Sequence, residues 1–303
     1  MSEIYYAGIE AGGTKFVCAI GNSLGEVITR ETIPTTTPEE TMGRCKDYFL
    51  KVRDKYPFVS IGIASFGPVD PDPASPYYGS ITATPKKGWV DFNIVKNLQA
   101  TFGLIPIGFD TDVNGAAIGE ARWGNGQGFD SLVYWTVGTG IGAGGMLSGQ
   151  LIHGLIHPEM GHTYVPQDKA EDPFPGVCPY HKNCLEGLAS GPAMMARWNV
   201  AAATDLPENH PAWDLEAKYL GYAMANCIMT VSPKRIIIGG GVMSKPGLFE
   251  KVRAKTKEFL NGYIVHWMIL DNIENFIVPP ALGNNAGVCG AFALAEHSYI
   301  NRR

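Results

Sequence analysis

The chain is short of positive charge. Its 24 lysines and arginines face 29 aspartates and glutamates for a net charge of −5, and the longest basic cluster is Lys86-Lys87. Binding a phosphate backbone needs a clustered positive surface, so no nucleic-acid partner is expected. No apolar run reaches the roughly 18 residues of a membrane span. The opening MSEIYYAGIEAGG has no cationic start, apolar run and cleavage site. Neither export nor membrane insertion is expected, and a cytoplasmic location is. The six cysteines are irregularly spaced, which suits a reducing compartment better than a disulfide framework. Two common signatures are missing. There is no G-x4-G-K-[ST] loop, and His157-Pro-Glu-Met-Gly-His162 is not H-E-x-x-H, since Pro158 and Gly161 oppose the helix that motif needs. What remains is an ordinary soluble composition, 303 residues with 45% hydrophobic and 17% charged, long enough for one large or two medium domains.

The scarce ligand-type residues are concentrated. Between His153 and Pro192 lie four of the seven histidines and two of the six cysteines. His162, Cys178, His181 and Cys184 make a complete tetrahedral set for Zn²⁺, and C-x2-H-x2-C lets one tight turn deliver three of them. Ordinary buried thiols beside a surface histidine are the alternative, and the spacing favours metal. A closed set of four leaves no open position, so the expected zinc is structural. It would clamp a Pro- and acid-rich loop between His162 and Cys178 that reads as lacking apolar content of its own.

Taken in order, IYYAGIEAGGTKFVCAI (4–20) reads as two β runs around Glu10-Ala-Gly-Gly-Thr14, with a third run near 26–32. Paired glycines with Thr14 and Lys15 suit phosphate, while a plain hairpin turn is the alternative. Met42, Cys45, Phe49 and Val52 space a helix over 38–56. A buried strand over 59–70 ends at Gly67-Pro68. Trp89 in TPKKGW is either a wall of a sugar site or a hydrophobic plug. An apolar strand ends at Phe109, and Asp112 then sits where a strand passes into a helix. Its carboxylate could enter a cleft or cap that helix, a role Asp110 or Asn114 could share. SLVYWTVGTGIGAGGMLSGQLIHG (131–154) repeats the plan of the N-terminal segment, which points to duplicated lobes. A helix begins near Gly191-Pro192, a longer one covers 213–232, and three isoleucines run into Gly239, Gly240 and Gly241. Those glycines permit flat approach of a base or ribose, or simply end a strand. A small-residue helix closes the chain.

The ordered set IEAGGTK, FDTDVNGAAIGE, TVGTGIGAGG, HPEMGH, CPYHKNCLEGLASGP and IIIGGGV resembles the ROK family of sugar kinases over essentially the whole chain, and within it the bacterial zinc-containing fructokinases. The resemblance implies the α/β actin-like ATPase and hexokinase (ribonuclease H-like) duplicated fold, with two lobes around a cleft that holds ATP-Mg²⁺ and a hexose. The smaller lobe would span 1–115, with a helix at about 287–303 packing back on it, and the larger lobe, with the zinc loop, 116–286. The implied activity is phosphorylation of D-fructose at its 6-hydroxyl. A kinase for mannose, glucose or an N-acetylated hexosamine is the alternative, ahead of a sugar sensor or nonenzymatic actin-like ATPase. A sensor of this family would carry a helix-turn-helix ahead of the sugar lobes, where the first turn begins about ten residues in.

By the same resemblance, Asp112 is the general base. Gly12, Gly13, Thr14 and Lys15 form the first phosphate turn. Gly138, Thr139 and Gly140 form the second, with Pro192 beside it, and Gly239, Gly240 and Gly241 the adenosine segment. Glu159, His162 and Glu186 are the sugar contacts, so His162 would serve metal and substrate together. Glucose-type members have an Asn ahead of the Trp that this chain lacks, which turns the expectation away from glucose. A homodimer is expected, with Trp198, Trp213 and Tyr219 as possible interface aromatics that could equally be internal.

Overall fold

The computed structural model describes residues 3–301. The ends of two expected ranges, residues 1–2 of the first lobe and 302–303 of the closing helix, lie outside them. The chain divides into two units. The first runs through Gly128, takes up Gly144–Pro158 and resumes from Ala281, and the second holds Phe129–Ala143 and Glu159–Pro280.

In the first unit, β1 (Tyr5–Ala11), β2 (Lys15–Asn22) and β3 (Val27–Pro34) form an antiparallel meander. Helix α1 (Pro38–Arg53) leads to β4 (Phe58–Ser65), and α2 (Ile94–Phe102) to β5 (Ile107–Thr111). β4 joins β1 in parallel and β5 joins β4 in parallel, giving the order β3-β2-β1-β4-β5. Helix α3 (Asp112–Trp123) follows β5 without a linking residue, and the last helix of the chain, Ala286–Asn301, packs on α3 and on the sheet. The sheet's other face is closed by Ile9, Phe16, Ile63, Met42, Cys45 and Phe49.

Trp89 belongs to that core. It is 1% exposed, it lies 5.2 Å from the Phe16 ring, and its Nε1–H donates to Thr36 O at 2.9 Å. A buried indole needs its N–H satisfied, and this one is, so Trp89 is a plug rather than an exposed wall.

The second unit repeats the topology. β6 (Leu132–Val137), β7 (Ile141–Leu147), which runs on into the first unit, and β8 (Gln150–Leu151) take the places of β1, β2 and β3. After α4 (Leu185–Ala189), α5 (Gly191–Trp198) and α6 (Ala212–Val231) comes β9 (Arg235–Gly239). After α7 (Leu248–Leu260), α8 (Trp267–Leu270) and α9 (Ile273–Phe276) comes β10 (Ile277–Val278), and the chain ends in α10 (Ala286–Asn301). The order β8-β7-β6-β9-β10 matches β3-β2-β1-β4-β5 strand for strand, with β6, β9 and β10 parallel. The internal repeat legible in the two glycine turns is therefore a repeat of whole sheets.

Two expectations change in this unit. The loop between His162 and Cys178 is not without apolar content: Val165 is buried, and Phe174 packs against the same core. A polar anchor adds to these. Asp172 is buried and receives Arg197 Nε at 3.1 Å and Nη2 at 3.2 Å, together with the Tyr219 hydroxyl. Arg197 also stacks 4.5 Å from the Phe174 ring, and Gln167 Nε2 ties the carbonyls of Asp172 and Phe174. The second change concerns the aromatics proposed for an interface. Trp213 is 3% exposed and Tyr219 is 1% exposed, both turned inward on the apolar face of α6, and Trp198, at the end of α5, is partly buried against the same core. Among the described residues, no helix is long and apolar enough to cross a membrane.

Removing one partner of a buried ion pair leaves the other charge uncompensated, so Arg197→Leu is expected to destabilise the chain by about 3–5 kcal/mol. Denaturant unfolding beside the parent protein measures this; an unchanged midpoint would mean that Asp172 anchors nothing.

Candidate active site

In the first unit the expected residues collect at the C-terminal ends of the parallel strands, where open α/β sheets bind ligands. The turn between β1 and β2 is closed by Gly12 N–H donating to Lys15 O at 3.0 Å, and is braced from outside. Thr35 Oγ1 donates to Gly12 O at 2.8 Å, and Thr35 N–H to Thr14 O at 3.0 Å. The side chains of Thr14 and Lys15 remain exposed.

Asp112 opens α3, but it is not the cap. The cap is Thr111, whose hydroxyl accepts Asn114 N–H at 3.1 Å. The sequence offered Asp110, Asp112 and Asn114 for that role and passed over the threonine between them. Capping by Thr111 leaves Asp112 in the first turn, its Oδ1 accepting the adjacent Val113 N–H at 2.8 Å. Burial pushes the Asp112 carboxyl up to about 6, against backbone hydrogen bonds that pull it down. Desolvation therefore outweighs the helix terminus, which by itself would favour the anion.

Asp110 is fully employed one residue pair upstream. It accepts Thr111 N–H at 2.7 Å, Asn114 Nδ2–H at 2.8 Å and His153 Nε2 at 2.8 Å, and this bond holds the His153 imidazole above its ordinary value. His157 is the opposite case. Burial lowers it, and its Nε2 accepts Val69 N–H at 3.0 Å just after the cis Gly67-Pro68 bond, so the neutral ring carries its proton on Nδ1. One acid went unmarked in the sequence. Glu10, at the end of β1, is pushed up to about 7 by burial and then by the negative charge of Asp112. Its signal was its position immediately before the glycine turn, on the inward side of the strand.

In the second unit the turn between β6 and β7 is closed by Gly138 N–H donating to Gly140 O at 2.9 Å. Gly191 N–H, opening α5, donates to Gly138 O at 2.8 Å. A cavity of about 610 Å³ beside it gathers Gly138, Thr139, Pro192 and Gly241 from three of the expected segments. Gly239 and Gly240 do not line it. Gly240 has φ +95°, and a Cβ there would lie 2.3 Å from Val137 O, so it serves the approach of β9 to β6. Two residues that sequence reasoning missed also line the cavity: Lys245, with its Nζ 4.9 Å from the Trp213 ring, and Trp213 itself.

The four expected metal ligands converge, their donor atoms all within 4.8 Å of one another. His162 Nδ1 lies 3.5 Å from Cys184 Sγ and 3.7 Å from Cys178 Sγ, and His181 Nδ1 lies 3.7 Å from Cys178 Sγ. A tetrahedron with ordinary Zn–N and Zn–S bonds has edges of about 3.4–3.8 Å, so these separations fit an ion at the centre. The knuckle is made by reciprocal backbone bonds between Cys178 and Lys182, with Lys182 in a left-handed conformation at φ +61°.

The cluster connects to the second glycine turn through one carboxylate. Glu186 Oε1 is 3.9 Å from His162 Nε2, the ring nitrogen turned away from the thiols, and Glu186 Oε2 accepts Ile141 N–H at 3.0 Å. At that distance the carboxylate faces the imidazole without a direct hydrogen bond. Glu159 is exposed at the start of the short helical turn that ends in His162.

The chain is 46% identical over 96% of its length to the putative fructokinase of Bacillus subtilis (95% of that protein). It is 45% identical over 96% of its length to the fructokinase of Zymomonas mobilis subsp. mobilis (96% of that protein). Its fold matches the ROK glucokinase of Streptomyces griseus, solved with glucose and AMPPNP, at a TM-score of 0.75 with 22% identity, covering 98% of this chain and all of that one. A mixed-sheet α/β unit repeated in one chain is the actin-like ATPase and hexokinase architecture. Since the model of the ROK family matches residues 6–298, the chain belongs to the ROK family.

Proposed function

We propose that the chain is a fructokinase that transfers the γ-phosphoryl group of ATP to the 6-hydroxyl of D-fructose. The observation that carries the chemistry is Asp112, a carboxyl near 6 at the opening of α3 with an adjacent backbone donor on its Oδ1. The choice of fructose rests on the names of relatives at 45–46% identity and on TPKKGW in place of the Asn of glucose-type members. The nucleotide is supported by the two glycine turns, the cavity beside the second, and the AMPPNP bound by the Streptomyces griseus glucokinase.

In the reaction the 6-hydroxyl oxygen forms a bond to the γ-phosphorus while the bond from phosphorus to the bridging oxygen breaks. The electron pair of that bond leaves with ADP, and the hydroxyl proton passes to Asp112. Glu159, His162 and Glu186 would hold the sugar hydroxyls, and Thr14 and Thr139 with their neighbouring backbone would hold phosphates. Mg²⁺, when bound, would neutralise charge on the triphosphate oxygens; Glu10, beside the first glycine turn, is the oxygen donor that fits it. Zn²⁺ held by His162, Cys178, His181 and Cys184 would be structural.

In a coupled ADP-release assay, turnover per Michaelis constant is expected to be higher on fructose than on glucose, mannose or N-acetylated hexosamines; a higher value on any of these rejects fructose as the preferred acceptor. Asp112→Asn is expected to lower kcat by about 10²–10⁴-fold with the fold intact by circular dichroism. Asp112 accepts a proton only when ionised, so kcat/KM should rise with pH through about 6 and level off above it; a flat acid limb between pH 5 and 7 would argue against this base. Metal analysis should find about one zinc per chain, lost in Cys178→Ser, and that variant should raise the fructose KM more than the ATP KM. Unchanged fructose affinity in zinc-free protein would separate the cluster from the sugar site.

A further inference from the structure

The mechanism above gives no part to Lys86. Lys86 is half-buried while its neighbour Lys87 is exposed, and its side chain lies along the first glycine turn. A Cβ built on Gly13 would sit 3.1 Å from Lys86 Cε, and nothing else approaches that face of Gly13 within 4 Å. The placement is rigid. Trp89 N–H donates to Lys86 O at 3.2 Å, closing a turn, and Trp89 is the plug seated on Phe16, the second residue of the strand that leaves the glycine turn. Its Nε1 reaches Thr36 O at 2.9 Å, next to the Thr35 that braces Gly12 and Thr14. Segments 12–15, 35–36 and 86–89 are thus bound into one piece. Among the described residues no carboxylate lies within salt-bridge distance of Lys86, whereas Lys218, Lys234, Lys251 and Lys255 are each paired. An ammonium held over a phosphate-type turn, with no acid to displace, is arranged for an anion that comes and goes.

We propose that Lys86 is a catalytic residue whose ammonium contacts the γ-phosphoryl oxygens of the bound nucleotide. The proposal rests on the reading of residues 12–15 as a phosphate turn and of the chain as a sugar kinase. As the bridging P–O bond breaks and the bond to the sugar oxygen forms, negative charge spreads over the equatorial oxygens. A cation already in place there stabilises the transition state without reorganising. Lys86 donates hydrogen bonds and exchanges no proton, which goes to Asp112. The contact also tells triphosphate from diphosphate, because ADP has nothing for it to hold.

The test uses the full chain with Lys86→Met, Lys86→Arg and, as control, Lys87→Met. With Mg-ATP and fructose, Lys86→Met should lower kcat about 10²-fold, the usual loss for one such donor, with the fructose KM within about threefold of the parent. Lys86→Arg should recover part of the loss and Lys87→Met should behave as the parent. By calorimetry, Lys86→Met should weaken Mg-AMPPNP while leaving Mg-ADP unchanged. A raised fructose KM at constant kcat, an equal loss in Lys87→Met, or parallel loss of AMPPNP and ADP affinity would each overturn the proposal. Should the parent protein phosphorylate no hexose, the sugar-kinase reading fails, and the split between AMPPNP and ADP still decides the role of Lys86.

Discussion

The position of Asp112 depends on a contact between two helices that have almost no side chain between them. A Cβ on Gly290 of α10 would lie 2.0 Å from Gly115 O of α3, and one on Gly62 of β4 would lie 1.7 Å from Ala291 O. Backbone therefore rests on backbone where α10 crosses α3 and the sheet, and the small-residue composition of the last helix is the condition for it. The closeness carries a polar cost, which Glu120 meets at the other end of α3. Its buried carboxylate accepts the N–H groups of Ala281, Leu282 and Asn125. With α3 pinned along its length, its first turn has little freedom, and a carboxylate placed there keeps its geometry through a catalytic cycle.

The second unit solves the same problem of holding functional groups with polar contacts in place of close packing. Glu186 is the junction, because one oxygen receives the backbone at the start of β7 and the other faces the imidazole of His162. The loop that carries the metal ligands is held at its far side by Asp172 with Arg197 and Tyr219. Gln167 reaches from that anchor to the knuckle, accepting Asn183 Nδ2 at 3.1 Å. The loop is therefore held at its far side and at the knuckle by direct contacts between its own side chains and the core.

Much of this was legible because the signals were local. The glycine turns, the C-x2-H-x2-C knuckle with His162 upstream, and the alternation of strands and helices are short-range patterns, and each lies where the spacing placed it. The repeat of TVGTGIGAGG after IEAGGTK went further and anticipated a matching strand order. What escaped the sequence was set by tertiary context. The cap fell to Thr111 because it is the residue with extended backbone immediately before α3, while Asp110, one residue further out, bonds Asn114 and His153. Trp89 could be resolved as a plug only once Phe16, Phe66 and Phe92 were seen around it. The helix α7 drew no notice beside the isoleucine strand and glycine run before it, and Lys245 belongs to the nucleotide-type cavity only because the segment after β9 comes beside α5 and the turn between β6 and β7. Glu10 is the instructive miss, since a lone acid before a turn acquires meaning only from Asp112, a hundred residues on.

The charge balance closes the argument between an acidic protein and the anionic ligand its function requires. Net charge governs non-specific attraction over the whole surface, and at −5 it does not favour polyanions. A bound triphosphate responds to what lies within a few ångströms, where screening by salt is weak for partly buried groups. Lys15 and Lys86 lie beside the glycine turn of the first unit and Lys245 lines the cavity of the second, and none is within salt-bridge distance of a carboxylate among the described residues. Had each been paired with an acid, binding phosphate would first have to break an ion pair, and the gain from the new contact would be offset by the loss of the old one. Of the nearby acids in the first unit, Glu10 is raised by burial to about 7 and so weakens the local positive field less than a free carboxylate would, while Asp112, near 6, stays mostly ionised at neutral pH, as a base must.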